Sequence, residues 1–87
     1  MITVTRFTAP WCKPCEAYGP ILEEVLGDYP EVVQLVVDVD ENPDAIREHN
    51  ISTVPTTVIT RDGEEISRFM GVRFKSQIAK TVESALN

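Results

Sequence analysis

Two cysteines, two residues apart, sit where a strand-like run gives way to a helical pattern. This junction constrains the chain more than any other feature. Thr8-Ala9-Pro10-Trp11-Cys12-Lys13-Pro14-Cys15 holds both cysteines of the sequence. An apolar run precedes them, and Tyr18, Leu22, Val25 and Tyr29 follow at helical spacing. The pattern predicts a strand, a short turn and a helix that opens at the cysteines. C-x-x-C spacing then places the second thiol one turn below the first, on the same face. Such a pair can close and reopen a disulfide with little backbone movement.

The placement favours reactivity at Cys12. A thiol at a helix N-terminus faces unpaired N–H groups and the positive end of the helix dipole, both of which favour thiolate. Lys13 adds a neighbouring cation. Thiolate is the nucleophilic form, so a lowered pKa is an activated cysteine. Cys15 falls inside the helix, where it is expected to be the more buried thiol and placed to attack a sulfur held on Cys12. Pro14 occupies an early helical position, where a missing N–H costs little, and it stiffens the turn.

Two other uses of the pair compete. A tetrahedral zinc site wants four ligands, and His49 is the one further Cys or His in the chain. As a structural staple, so short a loop contributes only about 2 kcal/mol in the chain-entropy model, and the helix already holds its ends together. Redox use fits the pair best.

The 87 residues are those of one domain, spanning 1–87, with room for one modest core. No apolar run is long enough to span a bilayer, so no membrane role is expected. Met1-Ile2-Thr3-Val4-Thr5-Arg6-Phe7 shows no basic segment followed by an apolar one, so no secretory signal is expected and a cytoplasmic, reducing setting is the default. There a lone C-x-x-C reads as redox or catalytic. The net charge of −6 argues against nucleic acid as a partner, since phosphate contacts need clustered Lys and Arg. Arg68, Arg73, Lys75 and Lys80 form a mild basic bias, read as a solvated helix face.

In chain order, Ile2 to Phe7 reads as a β-branched strand. The first helix is expected from about Cys12 to Gly27, kinked at Pro20 beside Gly19, with a stop at Pro30. Val32 to Val39 is a second strand, so continuously apolar that it suits cover on both faces in a parallel arrangement. Asn42-Pro43-Asp44 starts a short helix marked by Ala45, Ile46 and His49. Thr53 to Thr60 is a third strand with Pro55 near its head. Asp62-Gly63 signals a hairpin into a fourth strand over Glu65 to Phe69. Phe74, Ile78, Val82 and Ala85–Leu86 mark one face of a last helix. The fold class is α/β, in the order β-α-β-α-β-β-α. It implies a four-stranded mixed sheet of order 2-1-3-4, flanked by three helices on both faces, with strand 3 antiparallel to strand 1.

Over nearly its whole length the chain resembles the thioredoxin family, in a small, glutaredoxin-sized version. Trp11-Cys12-Lys13-Pro14-Cys15 is similar to the family's W-C-G-P-C, with Lys13 in the glycine position. Pro20 matches the family's kinking proline, Val39-Asp40-Glu41-Asn42-Pro43 its D-x-N-P segment, Val54-Pro55-Thr56 its cis-proline loop, and Gly71 the glycine facing the active site. Gln77-Ile78 falls at the family's spacing in the last helix. The resemblance implies a minimal thioredoxin-like fold and a protein-disulfide reductase. Cys12 would be the nucleophile and Cys15 the resolving thiol, with Lys13 and Pro14 tuning them. It implies a cis Val54–Pro55 bond, and a rim of Trp11, Val54, Pro55 and Gly71 on which a target chain docks. It further implies a redox-active Cys12–Cys15 disulfide with no bound cofactor and no metal. The implied partners are protein disulfide substrates and a thioredoxin-reductase-like flavoenzyme.

Three departures stand out. The family's first strand and helix have no counterpart. Arg6 and Val36 occupy the positions of the family's buried aspartate and its lysine partner; Arg6 is expected to reach Asp38 instead. Thr8 replaces a strand-end tryptophan. The glutaredoxin alternative weakens at Arg68-Phe69-Met70-Gly71-Val72-Arg73-Phe74, which lacks the Gly-Gly…Asp mark of a glutathione site. A glutaredoxin-like hydrogen donor for ribonucleotide reductase remains an alternative, as does a non-enzymatic interaction module that uses the fold's surface. A monomer is the default.

Overall fold

The computed structural model describes residues 1–87. Its elements are β1 (Ile2–Thr8), α1 (Lys13–Leu26), β2 (Val33–Asp38), α2 (Pro43–Glu48), β3 (Thr56–Arg61), β4 (Glu64–Met70) and α3 (Lys75–Leu86). The four strands form one sheet in the order β2-β1-β3-β4. β1 runs parallel to β2 and antiparallel to β3, and β3 and β4 form an antiparallel hairpin. Asp62 and Gly63 both take positive φ, at 51° and 86°. This is the conformation of a two-residue hairpin turn whose twist matches the strands. No helix is long and apolar enough to cross a membrane.

Strand alternation divides the sheet into two faces. Ile2, Val4, Ile59 and Phe69 point to one side and meet Tyr18, Leu22, Val25 and Leu26 of α1 with Ile78, Val82 and Ala85 of α3. Phe7 and Val58 point to the other side. There they join Ala9, Val39, Ile51 and both cysteines, with Ala45 of α2 packed against them. α1 and α3 therefore cover one face, and the six-residue α2 caps only one end of the other. None of the α2 residues is buried. Where α2 does not reach, Thr3, Thr5 and Thr60 lie half-buried on the open face. Threonine keeps the β-branched fit of a strand while presenting a hydroxyl to water.

Several expectations are corrected here. β2 is not covered on both faces: it is an edge strand, and Leu35 and Val36 remain 50% and 58% exposed. Continuous apolarity fits a buried parallel strand, but nothing flanks β2 beyond β1. Asn42 holds the N-cap position of α2 without bonding a helix amide. Its Nδ2–H donates instead to the Asp38 carbonyl at 3.0 Å, closing the preceding turn. Phe74 does not join the buried face of α3; it is 78% exposed at the N-cap, where its N–H donates to Gln77 Oε1 at 3.0 Å. Nor is the basic cluster one helix face. Arg68 lies on β4 and donates to Glu65, to the His49 carbonyl at 2.8 Å and to the Asn50 carbonyl at 3.1 Å.

Candidate active site

The cysteines lie where β1 hands over to α1. Ala9 is buried at the end of the strand run, and the Cys12 N–H donates to its carbonyl at 3.2 Å, which folds the turn tightly. Cys12 is the N-cap of α1, in extended conformation, with Pro14 in the first helical turn. Cys15 follows one turn later, and the two form a disulfide with their Cα atoms 5.3 Å apart. The Cys15 backbone N–H donates to Cys12 Sγ at 3.2 Å. A helix-terminal donor thus already points at the sulfur that gains charge when the disulfide opens.

Burial does not separate the two sulfurs: Cys12 is 4% and Cys15 3% exposed. The expectation that Cys15 is distinctly the deeper thiol fails because the bridge pulls both residues into one cluster with Phe7, Val39 and Val58. Position on the helix separates them instead, since only Cys12 receives a helix-terminal N–H.

A second segment closes over the pair. The Val54–Pro55 peptide bond is cis. The Val54 carbonyl oxygen lies 3.6 Å from Cys12 Sγ. Gly71, at φ 85°, donates its N–H to the Pro55 carbonyl at 2.8 Å and ties β4 to the same loop. Thr56 Oγ1–H donates to the Thr53 carbonyl at 2.7 Å, bracing the loop from within. Pro55 itself is fully buried, so it offers no surface of its own and instead holds Val54 and Gly71 in place. Val54 and Gly71 are half-buried, and Trp11 is 67% exposed. The Trp11 indole N–H donates to Asp40 Oδ1 at 3.2 Å, which fixes the ring against the loop after β2. Trp11, Val39, Ile46, Ile51 and Val54 line a shallow pocket of about 120 Å³. Lys13 is exposed beside Cys12. No three His, Cys, Asp or Glu side chains converge as a metal site would need.

Arg6 does not reach Asp38. Its Nη2–H donates to Glu23 Oε1 at 3.2 Å, under α1. Asp38 is engaged elsewhere, accepting the Asp40 N–H at 2.8 Å. Gly19 makes room for the guanidinium, for a Cβ at that position would stand 2.8 Å from Arg6 Nη1. Gly19 lies one helical turn beyond Cys15, so the buried face below the cysteines carries a cation where an acid was looked for. Tyr18 is the further residue that sequence reasoning passed over as plain core. Its hydroxyl pairs with Thr57 Oγ1 at 2.8 Å, and both side chains are completely buried. Burial pushes the Tyr18 phenol above its ordinary pKa, opposed by the Thr57 hydrogen bond and more weakly by Arg73 and Arg6.

A helix-capping cysteine, its partner one turn on and a cis-proline loop over both form a site that can open and close a disulfide beneath the loop. The thioredoxin family model matches residues 1–84. This chain belongs to the thioredoxin family. It is 34% identical to the thioredoxin of Staphylococcus saprophyticus over 86 residues, 98% of this chain and 83% of that protein. It is 34% identical to the thioredoxin of Chlamydia trachomatis over 81 residues, 93% of this chain and 79% of that one. Among solved structures, oxidized mitochondrial thioredoxin 3 of Saccharomyces cerevisiae superimposes with a TM-score of 0.87 at 32% identity, over 95% of this chain and 77% of that chain. Fasciola hepatica thioredoxin gives the same TM-score at 34% identity, over 95% and 79%. With its Cys12–Cys15 pair, this thioredoxin-family chain is a thiol–disulfide oxidoreductase that acts on protein disulfides.

Proposed function

We propose that the chain works as a reductase of protein disulfides, with Cys12 attacking and Cys15 resolving. The observation that carries this order is the Cys15 N–H aimed at Cys12 Sγ, at the N-cap of α1. Cys12 thiolate attacks one sulfur of a target disulfide, forms a mixed disulfide and expels the other target sulfur as thiolate. Cys15 thiolate then attacks Cys12 Sγ, closes the Cys12–Cys15 bridge and expels the second target thiolate. Two electrons pass to the target, and each expelled thiolate takes up a proton. Lys13 and Pro14 tune the pair, one by its charge and the other by fixing the first turn. A flavin-dependent, thioredoxin-type reductase in the cytoplasm returns the dithiol, and the chain acts as a monomer.

Trp11, Val54 and Gly71 form the docking rim, supported from beneath by Pro55. An extended target segment laid across them pairs with the backbone of Val54, as a strand pairs with a sheet edge. Arg6 changes the second step. A guanidinium cannot take a proton from Cys15, so Arg6 offers no general base there.

Dithiothreitol-driven reduction of insulin disulfides tests this with wild type, Cys12→Ser and Cys15→Ser. Wild type outpaces dithiothreitol alone and Cys12→Ser does not. Cys15→Ser accumulates mixed disulfides with its targets, which mass spectrometry identifies. A Cys12→Ser variant that keeps full activity overturns the assignment.

A further inference from the structure

The free edge of β2 is not part of the rim around the cysteines, although Asp40, which follows the strand, also holds Trp11. Its backbone polarity follows from one hydrogen bond. The Val39 N–H donates to the Thr8 carbonyl at 2.9 Å, on the β1 side. Alternation along the strand then turns the amides of Val33, Leu35 and Val37 toward β1, and those of Gln34 and Val36 outward. No strand pairs with that outer side. Around these open amides the side chains are apolar and exposed: Val33 at one end, Leu35 and Val36 at the centre.

The sheet's other edge is built differently. β4 carries Glu64, Glu65 and Arg68, and its pairing with β3 is broken by a register shift at Ile59/Thr60. Charge and irregularity are the usual means of keeping an edge from pairing with another chain. From Val33 to Val37, β2 has no charge, no proline and no bulge. One edge is defended and the other is left open to pairing.

Charge at the two ends of β2 selects what pairs with it. Exposed Asp28 and Glu31 precede the strand; Asp38 ends it, and exposed Asp40 and Glu41 follow. A second copy docked antiparallel about Leu35 would bring its own Asp38 and Asp40 beside Glu31, between chains that each carry −6. We propose that the β2 edge docks an extended segment of a partner protein, apolar at its centre and flanked on both sides by Lys or Arg. Gln34 and Val36 exchange backbone hydrogen bonds with it, Leu35 and Val36 pack against its alternate side chains, and its basic flanks meet the acids at the two strand ends.

The test uses a ten-residue probe, Lys-Arg-Thr-Val-Thr-Val-Thr-Val-Arg-Lys, and a control with Glu at the four flanking positions, each titrated into the isotope-labelled chain. The basic probe is expected to protect the Gln34 and Val36 amides from hydrogen exchange, and the acidic control to bind at least about tenfold more weakly. Added salt weakens the basic probe. Gln34→Pro removes an outward donor, a change an edge strand tolerates, and weakens binding about tenfold. Leu35→Lys keeps every amide, removes the central apolar contact and repels the flanks, so it carries the test if the proline variant does not fold. Both variants retain wild-type insulin reduction. Equal binding of the two probes, or binding unmoved by either substitution, overturns the proposal. So does protection of Gln34 and Val36 that rises with protein concentration alone, with a dimer in sedimentation, since that assigns the edge to a second copy.

Discussion

The cluster beneath α1 and α3 holds twelve buried residues, and Tyr18 is the one among them with a polar side-chain atom. The cluster around the end of β1, on the α2 face, holds seven, and two of those are the cysteines. The first is closed over by two helices of 14 and 12 residues, the second by a helix of six with no buried residue. The difference separates two jobs within one sheet. The large cluster supplies most of the apolar burial that holds the chain folded. The small one keeps the disulfide dry yet thinly covered, and thin cover is where local opening costs least.

Cutting into the large cluster should therefore cost stability and spare chemistry. Ile78→Ala empties a fully buried site between α3 and the sheet and is expected to cost about 2–5 kcal/mol in denaturant unfolding. That is a large share of the roughly 5–15 kcal/mol available to a domain. At a temperature where the variant stays folded, its insulin-reduction rate should match wild type. A fall in rate at full folding would show that the two clusters are coupled.

The Tyr18–Thr57 hydrogen bond is where such coupling would run, since it joins the large cluster to the strand that begins at the cis-proline loop. Tyr18→Phe leaves the Thr57 hydroxyl buried without a partner and should cost about 1–3 kcal/mol. Thr57→Val added to it removes the orphan and should recover much of that loss. Chemical denaturation of the two singles and the double measures the coupling. Strictly additive losses would mean that the bond does not tie the clusters together.

The motif-bearing half of this picture was legible in the residues. W-C-K-P-C placed the strand-to-helix junction, Asp62-Gly63 placed the hairpin, and apolar periodicity placed α1 and the inner face of α3. These are local signals, written in residues that neighbour one another. What was misread depended on what lies across space. Val33 to Val36 carry the composition of a buried strand, and although the expected order 2-1-3-4 already put them at an edge, composition does not show that the helices leave Leu35 and Val36 uncovered. Arg6 has acids within reach on several elements, and the choice of Glu23 turns on Gly19 leaving room beneath α1. Tyr18 gave no sign of its hydroxyl partner, because Thr57 lies on a strand 39 residues away.

The loop that approaches the small cluster from α2 is held by charge as well as by the buried Ile51, which makes it sensitive to pH. His49 packs on Phe7 with ring centroids 5.2 Å apart and planes tilted by 48°, and Arg68 grips the His49 and Asn50 carbonyls while Glu65 holds Arg68. The Arg68 hydrogen bonds hold the Glu65 carboxyl below its ordinary pKa, partly opposed by its burial. A depressed carboxylate contributes stability in full above its unfolded value, about 4.3, and loses it as pH falls through the lower folded value. Amide exchange at Asn50 and Ile51 should therefore speed up in that acid window, and Glu65→Gln should show the faster exchange already at neutral pH. The Ile78 region is held by apolar burial, and the Lys75–Glu24 pair beside it is exposed to solvent, so it should show no matching step. The same acid step at both places would erase the distinction between the clusters.

The smallest effect expected belongs to Lys13, exposed at the mouth of the small cluster. Lys13→Gly removes a cation beside Cys12 and should raise the thiol's pKa only slightly, since an exposed charge is well screened. Glycine also loosens the first helical turn, so Lys13→Gln, which removes the charge and keeps a good helix former, is the cleaner comparison. Thiolate absorbance titration of the reduced protein reads both. If each variant raises the pKa equally, the side-chain charge accounts for the shift. If only Lys13→Gly does, the helix terminus and its Cys15 N–H set the Cys12 thiolate, and the backbone geometry rather than the variable residue between the cysteines makes the site reactive. An unchanged or lower value in both removes Lys13 from the tuning of the pair.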